Sequence, residues 1–406
     1  MFSTEDKLAR KQLEVNALFE LTRAIQHNFA ESKLFQIYTF TLLGTDAIDL
    51  LALYMQEETA WQCKLSHGID RAKLSEGIPT SILEAARTLD SSKDEIEPPF
   101  DCFDVIIPVQ HKSQTLAYLF LGGIELNSDE GVNKLAFLHA FTNVLVVAIE
   151  NKRFSRLQLQ QESLRKELEI ARTVQLNLFP RLLPDRADLS VEAFYLPHHR
   201  VGGDYYNCIE LEPDRYLISV ADISGKGIPA SLLMSTFHAS VNALIRQTNE
   251  LVVIVGELNH LIADAGRGEY FITSFLCVVD FKQGILEYVN SGHNPPILYD
   301  GVTGKTTYLE KGSTILGIFN SLPVIEPEIL PLSKSFLLFA FTDGLSELKN
   351  PHGVELGTEL IEDKIRQIHK SGKRSVVPQI KNLMEQYRGT EPYHDDVTFL
   401  SFYYSA

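Results

Sequence analysis

Between Gly131 and Pro180 the chain contains neither glycine nor proline. A stretch of that length without a breaker reads as one helix, because strands need turns and helices end where Gly or Pro intervenes. The spacing predicts a helix from about Gly131 to about Phe179, and this element divides the chain into two differently patterned parts. Within it Phe154, Leu157, Gln161, Leu164, Leu168, Ala171, Gln175 and Leu178 recur at alternating threes and fours. That is a heptad seam with glutamine at two core-type positions, as expected of a parallel homodimeric coiled coil whose register the polar positions loosen. The competing reading is a single helix lying on its own domain.

Before the helix, Leu13, Ala17, Leu18, Leu21, Ala24 and Ile25 mark an amphipathic opening helix. The runs "IDLLALYMQ", "AWQCKLSHG", "FDVIIPVQH" and "TLAYLFLGG" read as strands, the last two joined through "KSQ" as a hairpin. Residues 1–150 are therefore expected to form an α+β domain, followed by a helical linker over 151–180 and a second domain over 181–406. In that second domain "LSVEAFYLP", "RYLISVADI", "SFLCVVDF", "ILEYVNSGH", "SFLLFAFTDG" and "VTFLSFYY" read as strands. Helical stretches fall at about 229–248, 250–265, 357–369 and 375–388. Two β-rich blocks with helices between them suggest a β-sandwich covered by helices.

Composition excludes some functions. A formal net charge of -16 opposes binding to nucleic acid or to an anionic membrane surface, both of which depend on cationic neutralisation of phosphate. Cys63, Cys102, Cys208 and Cys277 are scattered without a CxxC or Cys/His pairing, which supports neither a disulfide framework nor a zinc site. The N-terminus lacks the apolar centre of a signal peptide, and the longest apolar run contains His139 and Asn143 and falls short of a bilayer span. The expected setting is cytoplasmic, with no membrane span.

The informative residues are aspartates at strand ends. Asp204 follows "VGG", Asp222 ends "LISVA", Asp343 ends "FLLFAFT", and Asp395 with Asp396 precedes "VTFLSF". Any one of them could be a turn or cap residue. Converging, they would have either to take back protons or to bind a cation, since two carboxylates about 5 Å apart repel by roughly 3 kcal/mol at an effective dielectric near 20. An oxygen-only donor set suits hard ions such as Mg²⁺ or Mn²⁺. The Gly-Lys of "VADISGKGIPAS" is no phosphate loop: Val220 stands where the upstream Gly is required and Gly227 where Ser or Thr is required. Gly225 and Gly227 instead permit a tight turn after Asp222, and Pro229 suits the first turn of the next helix.

In their order, "ELEIARTVQLNLFP", "VGGDYYN", "VADISGKGIPASLLMS", "SGHNPP", "FTDGLSEL" and "HDDVTFL" resemble the metal-dependent protein phosphatase (PPM, type 2C) family, in its SpoIIE-like and RsbU-like branch, over about residues 160–404. The resemblance implies a PPM-type β-sandwich flanked by helices (αββα) and hydrolysis of phosphoserine or phosphothreonine by a water activated between two Mn²⁺ or Mg²⁺ ions. It implies Asp222 as the bridging carboxylate, the Ile223 carbonyl beside it, Asp343 and Asp395 on the second ion, and Asp204 as a more peripheral ligand. Asp396 matches a supportive position, Gly202 and Gly203 shape the loop, and Lys226 could reach substrate phosphate. His293 matches a signature position with a structural role. Asn207 stands where Asp is common and His199 where Arg is common, which leaves Arg200 as a substitute phosphate clamp.

Residues 1–150 resemble a GAF sensor module through strand order and the "FDVIIPVQHKSQTLAYLFLGG" hairpin, with Trp61, Cys63 and His67 as possible pocket residues. In this branch the linker helix is a regulatory switch and the usual substrate is a phosphorylated anti-sigma-factor antagonist of the STAS type. The alternative is a pseudophosphatase, a sensor or scaffold that binds partners without catalysis.

Overall fold

The computed structural model describes residues 4–44, 48–57, 60–74, 77–85, 87–111, 114–124 and 128–406. The chain divides into two compact units, Met1–Glu162 and Ser163–Ala406.

The first unit contains helices α1 (Thr4–Gln26), α2 (Glu31–Gly44) and α3 (Thr80–Ala85), and strands β1 (Leu50–Glu57), β2 (Ala60–His67), β3 (Leu89–Asp90), β4 (Val105–His111) and β5 (Gln114–Gly122). They form an antiparallel sheet in the order β2-β1-β5-β4-β3. The hairpin expected from "FDVIIPVQHKSQTLAYLFLGG" is the β4–β5 pair, and Lys112 and Ser113 of its connection lie outside the described residues. Strand alternation sends Leu51, Leu53 and Met55 to a face packed with Ala17, Leu21 and Ala24 of α1 and Leu34, Tyr38 and Leu42 of α2. Ala52 and Tyr54 face the opposite layer, where Phe100, Phe103 and Phe120 pack. Leu13, expected on the buried stripe of α1, is exposed. Cys63 is buried in the aromatic layer, Trp61 packs edge-on against Tyr118, and His67 is exposed.

The long helix α4 runs from Asp129 to Leu176, with a turn following it rather than helix to Phe179. Leu138, Phe141, Leu145, Val146 and Ile149 bury its first part in the core of the first unit. Among the described residues it is also the one helix whose length and composition would suffice to cross a membrane, although part of that apolar stretch is used in the core. Seam residues Phe154, Leu157, Gln161, Leu164 and Ala171 are exposed, whereas Gln175 is buried within the second unit.

The second unit contains β6 (Leu189–Leu196), β7 (Tyr205–Glu212), β8 (Arg215–Ile223), β9 (Ile272–Asp280), β10 (Ile285–Ser291), β11 (Ile297–Asp300), β12 (Thr306–Tyr308), β13 (Gly312–Ser313), β14 (Glu328–Pro331), β15 (Ser335–Phe341) and β16 (Val397–Ser405). Its helices are α5 (Ile228–Leu244), α6 (Leu251–Gly266), α7 (Asp343–Ser346), α8 (Gly357–Lys370) and α9 (Val377–Arg388). One sheet has the order β13-β10-β9-β8-β7 with β14 on β10, and the other the order β12-β11-β15-β16-β6. Period-two alternation builds four layers from them. Ile218, Val220, Phe275 and Cys277 of the first sheet meet Phe336, Leu338, Leu400 and Phe402 of the second in one core. Leu217, Leu276 and Val278 on the outer face pack under Phe237 and Val241 of α5 and Leu258 and Ile262 of α6. Leu337, Phe339 and Phe399 on the other outer face pack under Ile361 and Ile365 of α8 and Ile380 and Met384 of α9.

Phe275 is fully buried between the sheets, while Leu182 is 90 % exposed. Phe275→Ala is expected to lower unfolding free energy by about 3–5 kcal/mol, and Leu182→Ala by less than about 0.5 kcal/mol, in urea denaturation followed by tryptophan-independent circular dichroism.

Candidate metal centre

The strand ends bring the acidic residues to one end of the sandwich. Asp222 is the penultimate residue of β8, Asp204 immediately precedes β7, Asp343 opens α7 just after β15, and Asp395 and Asp396 immediately precede β16. Pairing of β7 with β8, and of β15 with β16, holds these ends in register. Thr342 amide donates to the Thr398 carbonyl at 3.0 Å and Thr398 amide to Thr342 Oγ1 at 3.0 Å, so the residues next to Asp343 and Asp396 are tied together.

The electrostatics show how closely the carboxylates face one another. Burial, followed by the charges of Asp343, Asp395 and Asp396, pushes Asp222 up to about 7, partly offset by a hydrogen bond with Asp204. Burial and then Asp222 and Asp396 raise Asp204 well above the carboxylate range, against hydrogen bonding that includes Thr342 Oγ1 donating to Asp204 Oδ2 at 2.8 Å. Asp343 is raised by burial, then by Glu347 and Asp395. Among the described residues no three carboxylate, imidazole or thiol groups close into a ready-made ligand set. The donors are nonetheless oxygen atoms in an acidic, partly desolvated setting, which fits a hard divalent cation and opposes keeping every carboxylate ionised without one.

The remaining residues singled out in the sequence divide by what they touch. Asp396 accepts from the His198 amide at 2.7 Å through Oδ1 and from the Gly203 amide at 2.7 Å through Oδ2, so it pins the loop leading to Asp204. Gly203 is required by close approach: a Cβ there would lie 2.8 Å from the Ile223 carbonyl oxygen. Gly225 and Gly227 have φ of 89° and 72°, the left-handed values that the turn from β8 into α5 needs. Lys226 does not stand free in solvent. Its Nζ donates to Asp395 Oδ2 at 2.8 Å and to the His394 carbonyl at 3.0 Å, and its own pKa is raised by that hydrogen bond. Arg200 is directed away from the carboxylates onto Glu169 at 3.0 Å.

His293 is buried and pushed down to about 4 by desolvation, with Nδ1 against Thr273 Oγ1 at 2.9 Å. Its amide donates to Asn290 Oδ1 at 2.7 Å, which makes it a neutral structural residue of the "SGHNPP" turn. Asn207 pairs with the Tyr205 hydroxyl at 2.9 Å. Thr342 was not singled out by sequence reasoning, although its place directly before Asp343 was the available signal. Gln175 was assigned to the seam, and its burial beside Gly202 is visible only in three dimensions.

A helix-covered two-sheet sandwich with acidic residues at its strand ends defines the class of domain, and comparison with known proteins specifies it. The family model described as Stage II sporulation protein E (SpoIIE) matches residues 212–404, so this part of the chain is similar to that family. The matched span includes Asp222, Asp343 and Asp395 and begins after Asp204. Phosphoserine phosphatase RsbU of Bacillus subtilis (strain 168) is 26% identical over 242 residues, 59% of this chain and 70% of that protein. Phosphoserine phosphatase RsbP of the same organism is 26% identical over 188 residues, 45% of this chain and 46% of that protein. The SiaA-PP2C domain of Pseudomonas aeruginosa aligns over 61% of this chain and 99% of its own, with 24% identity and a TM-score of 0.49.

The raised Asp222 yields a signed expectation. A carboxyl whose folded pKa lies above its unfolded value stabilises the fold fully below the unfolded pKa, and that contribution is lost as pH rises through about 7. Chelator-treated protein is therefore expected to melt at lower temperature at pH 8 than at pH 5.5. Asp222→Asn should reduce that difference, Asp204 and Asp343 accounting for the remainder, and raise the pH 8 melting temperature in differential scanning calorimetry.

Proposed function

We propose that this chain is a metal-dependent protein serine/threonine phosphatase. The single observation that supports the reading most is the placement of Asp204, Asp222, Asp343 and Asp395 at or beside strand ends on one end of the sandwich, where the charges of Asp343 and Asp395 act on Asp222. In this reading Asp222, the Ile223 carbonyl, Asp343, Asp395 and Asp204 are the residues that would hold the cations. Mn²⁺ or Mg²⁺ bound there supplies Lewis acidity and a water acidic enough to attack a phosphoryl group near neutral pH. The chain's own side chains do the rest. Asp396 fixes the loop before Asp204, Lys226 balances Asp395 at the rim, and neutral His293 holds the turn after β10. Lys226 could exchange Asp395 for a substrate phosphate oxygen, whereas the Glu169 contact of Arg200 speaks against a clamp role for that residue.

The relationship to phosphoserine phosphatases supports a phosphoprotein substrate, and the family resemblance supports a phosphorylated STAS-type anti-sigma-factor antagonist. Regulation is read from α4, which continues without interruption from the core of the first unit into the second. The exposed Phe154, Leu157 and Leu164 support a homodimer formed along that helix, with a signal received by the GAF-like residues 1–150.

The test is release of inorganic phosphate from a phosphoserine STAS protein by the full chain at increasing Mn²⁺ or Mg²⁺. Metal-dependent turnover is expected, with at least about a thousandfold loss in Asp222→Asn, whose volume is kept while the charge is removed. No turnover at any metal concentration would favour a binding role without catalysis. For the seam, charge substitution of Leu164 and Leu168 is expected to shift the sedimenting species towards monomer and to change phosphatase rate. Unchanged mass and rate would remove the helix from regulation.

A further inference from the structure

Gln175 belongs to the seam pattern by spacing, yet it is 4 % exposed and lies inside the second unit. It sits in the last turn of α4, which ends at Leu176. Its carboxamide engages the loop that precedes Asp204 through both Nε2 and Oε1. Nε2 donates to the Gly202 carbonyl at 2.7 Å, and Oε1 accepts from the Gly202 amide at 3.3 Å and from the Tyr195 hydroxyl at 3.4 Å. A carboxamide that donates to and accepts from the backbone of one residue constrains both the position and the tilt of the adjoining peptides.

The same loop is held from the other side by Asp396, which accepts from the Gly203 amide at 2.7 Å. The space between the two anchors is full: a Cβ at Gly202 would lie 2.4 Å from Asp396 Oδ2 and 2.6 Å from the Tyr195 hydroxyl. Gly203 in turn rests on the Ile223 carbonyl. Displacing the Gln175 amide therefore moves a backbone that touches the carbonyl beside Asp222 and leads directly into Asp204.

We propose that Gln175 is a positioning residue of the metal centre, whose carboxamide holds the Gly202–Asp204 backbone in the conformation that binds the cations. The proposal rests on the phosphatase reading above and adds a residue outside the carboxylate set. It has a consequence for the helix. One carboxamide cannot pair with Gly202 and also enter a coiled-coil seam, so any seam must end before Gln175 or remove the loop's anchor. Cation affinity is then linked to the rotation of the last helical turn.

The experiment titrates Mn²⁺ into the full-length wild type, Gln175→Leu and Gln175→Glu by isothermal calorimetry. It also measures hydrolysis of a phosphoserine peptide against Mn²⁺ and against peptide. Gln175→Leu keeps the volume without hydrogen bonding, and Gln175→Glu keeps the acceptor but cannot donate to the Gly202 carbonyl. Both are expected to bind Mn²⁺ at least about tenfold more weakly and to need correspondingly more Mn²⁺ for half-maximal rate. The peptide KM at saturating Mn²⁺ should stay within about twofold, since the substrate site itself is not altered.

Folded variants that bind Mn²⁺ as tightly as the wild type would overturn the role of Gln175 alone. A wild type that binds no Mn²⁺ would overturn the phosphatase reading and this inference with it. Unfolding of both variants without rescue by Mn²⁺ would also overturn it, because Gln175 would then serve folding only.

Discussion

Like charges held close together are the constraint around which the second unit is arranged. Asp204 is buried and Asp222 half-buried; burial raises both, Asp222 and Asp396 raise Asp204 further, and Asp343, Asp395 and Asp396 raise Asp222, a costly arrangement that the strand pairing nevertheless enforces. The cost is met by rigidity. The sheets tie Thr342 to Thr398, Thr342 donates to Asp204, and Asp396 grips the backbone at His198 and Gly203. Carboxylates on flexible loops would move apart to relieve the repulsion, whereas carboxylates at the ends of paired strands cannot, and the remaining sources of relief are a proton or a cation.

The surrounding layers serve this geometry. The core between the sheets fixes the distance separating β8 from β15 and β16, and the outer cores fasten α5 and α6 on one side and α8 and α9 on the other. Helix α5 starts directly after the "GKG" turn, so its packing against β8 bears on the position of the turn. The end of α4 enters the same network through Gln175. The end of α4 and Asp396, just before β16, thus reach the loop before Asp204 through hydrogen bonds to its backbone.

Much of this organisation was legible along the chain. Strands β8, β9, β10, β15 and β16 follow the apolar runs, and helices α5, α6, α8 and α9 fall where the helical patterns lie, because burial on one or two faces writes a period directly into the sequence. The four-layer arrangement and the acidic strand ends were readable for the same reason. Strand β7 is not legible along the chain because "YYNCIELE" mixes polar and aromatic residues without an apolar run. The burial expected of Leu13 failed because the buried stripe of α1 is confined to Ala17, Leu21 and Ala24 and their neighbours.

The sequence by itself determined which residue types reach the strand ends, since period-two alternation and the turn-forming glycines are local properties of the chain. It also determined that one long central helix forms, since a missing Gly or Pro is likewise local, although the helix ends at Leu176 and not at Phe179. Only the tertiary structure decided the partners: that Asp396 pins a loop, that Lys226 sits on Asp395, that Arg200 turns to Glu169, and that Gln175 leaves the seam pattern for Gly202. Those outcomes depend on which side chains the folded sheets and helices bring within hydrogen-bonding reach, and residues nearly two hundred positions apart, such as Gly203 and Asp396, carry no local trace of it.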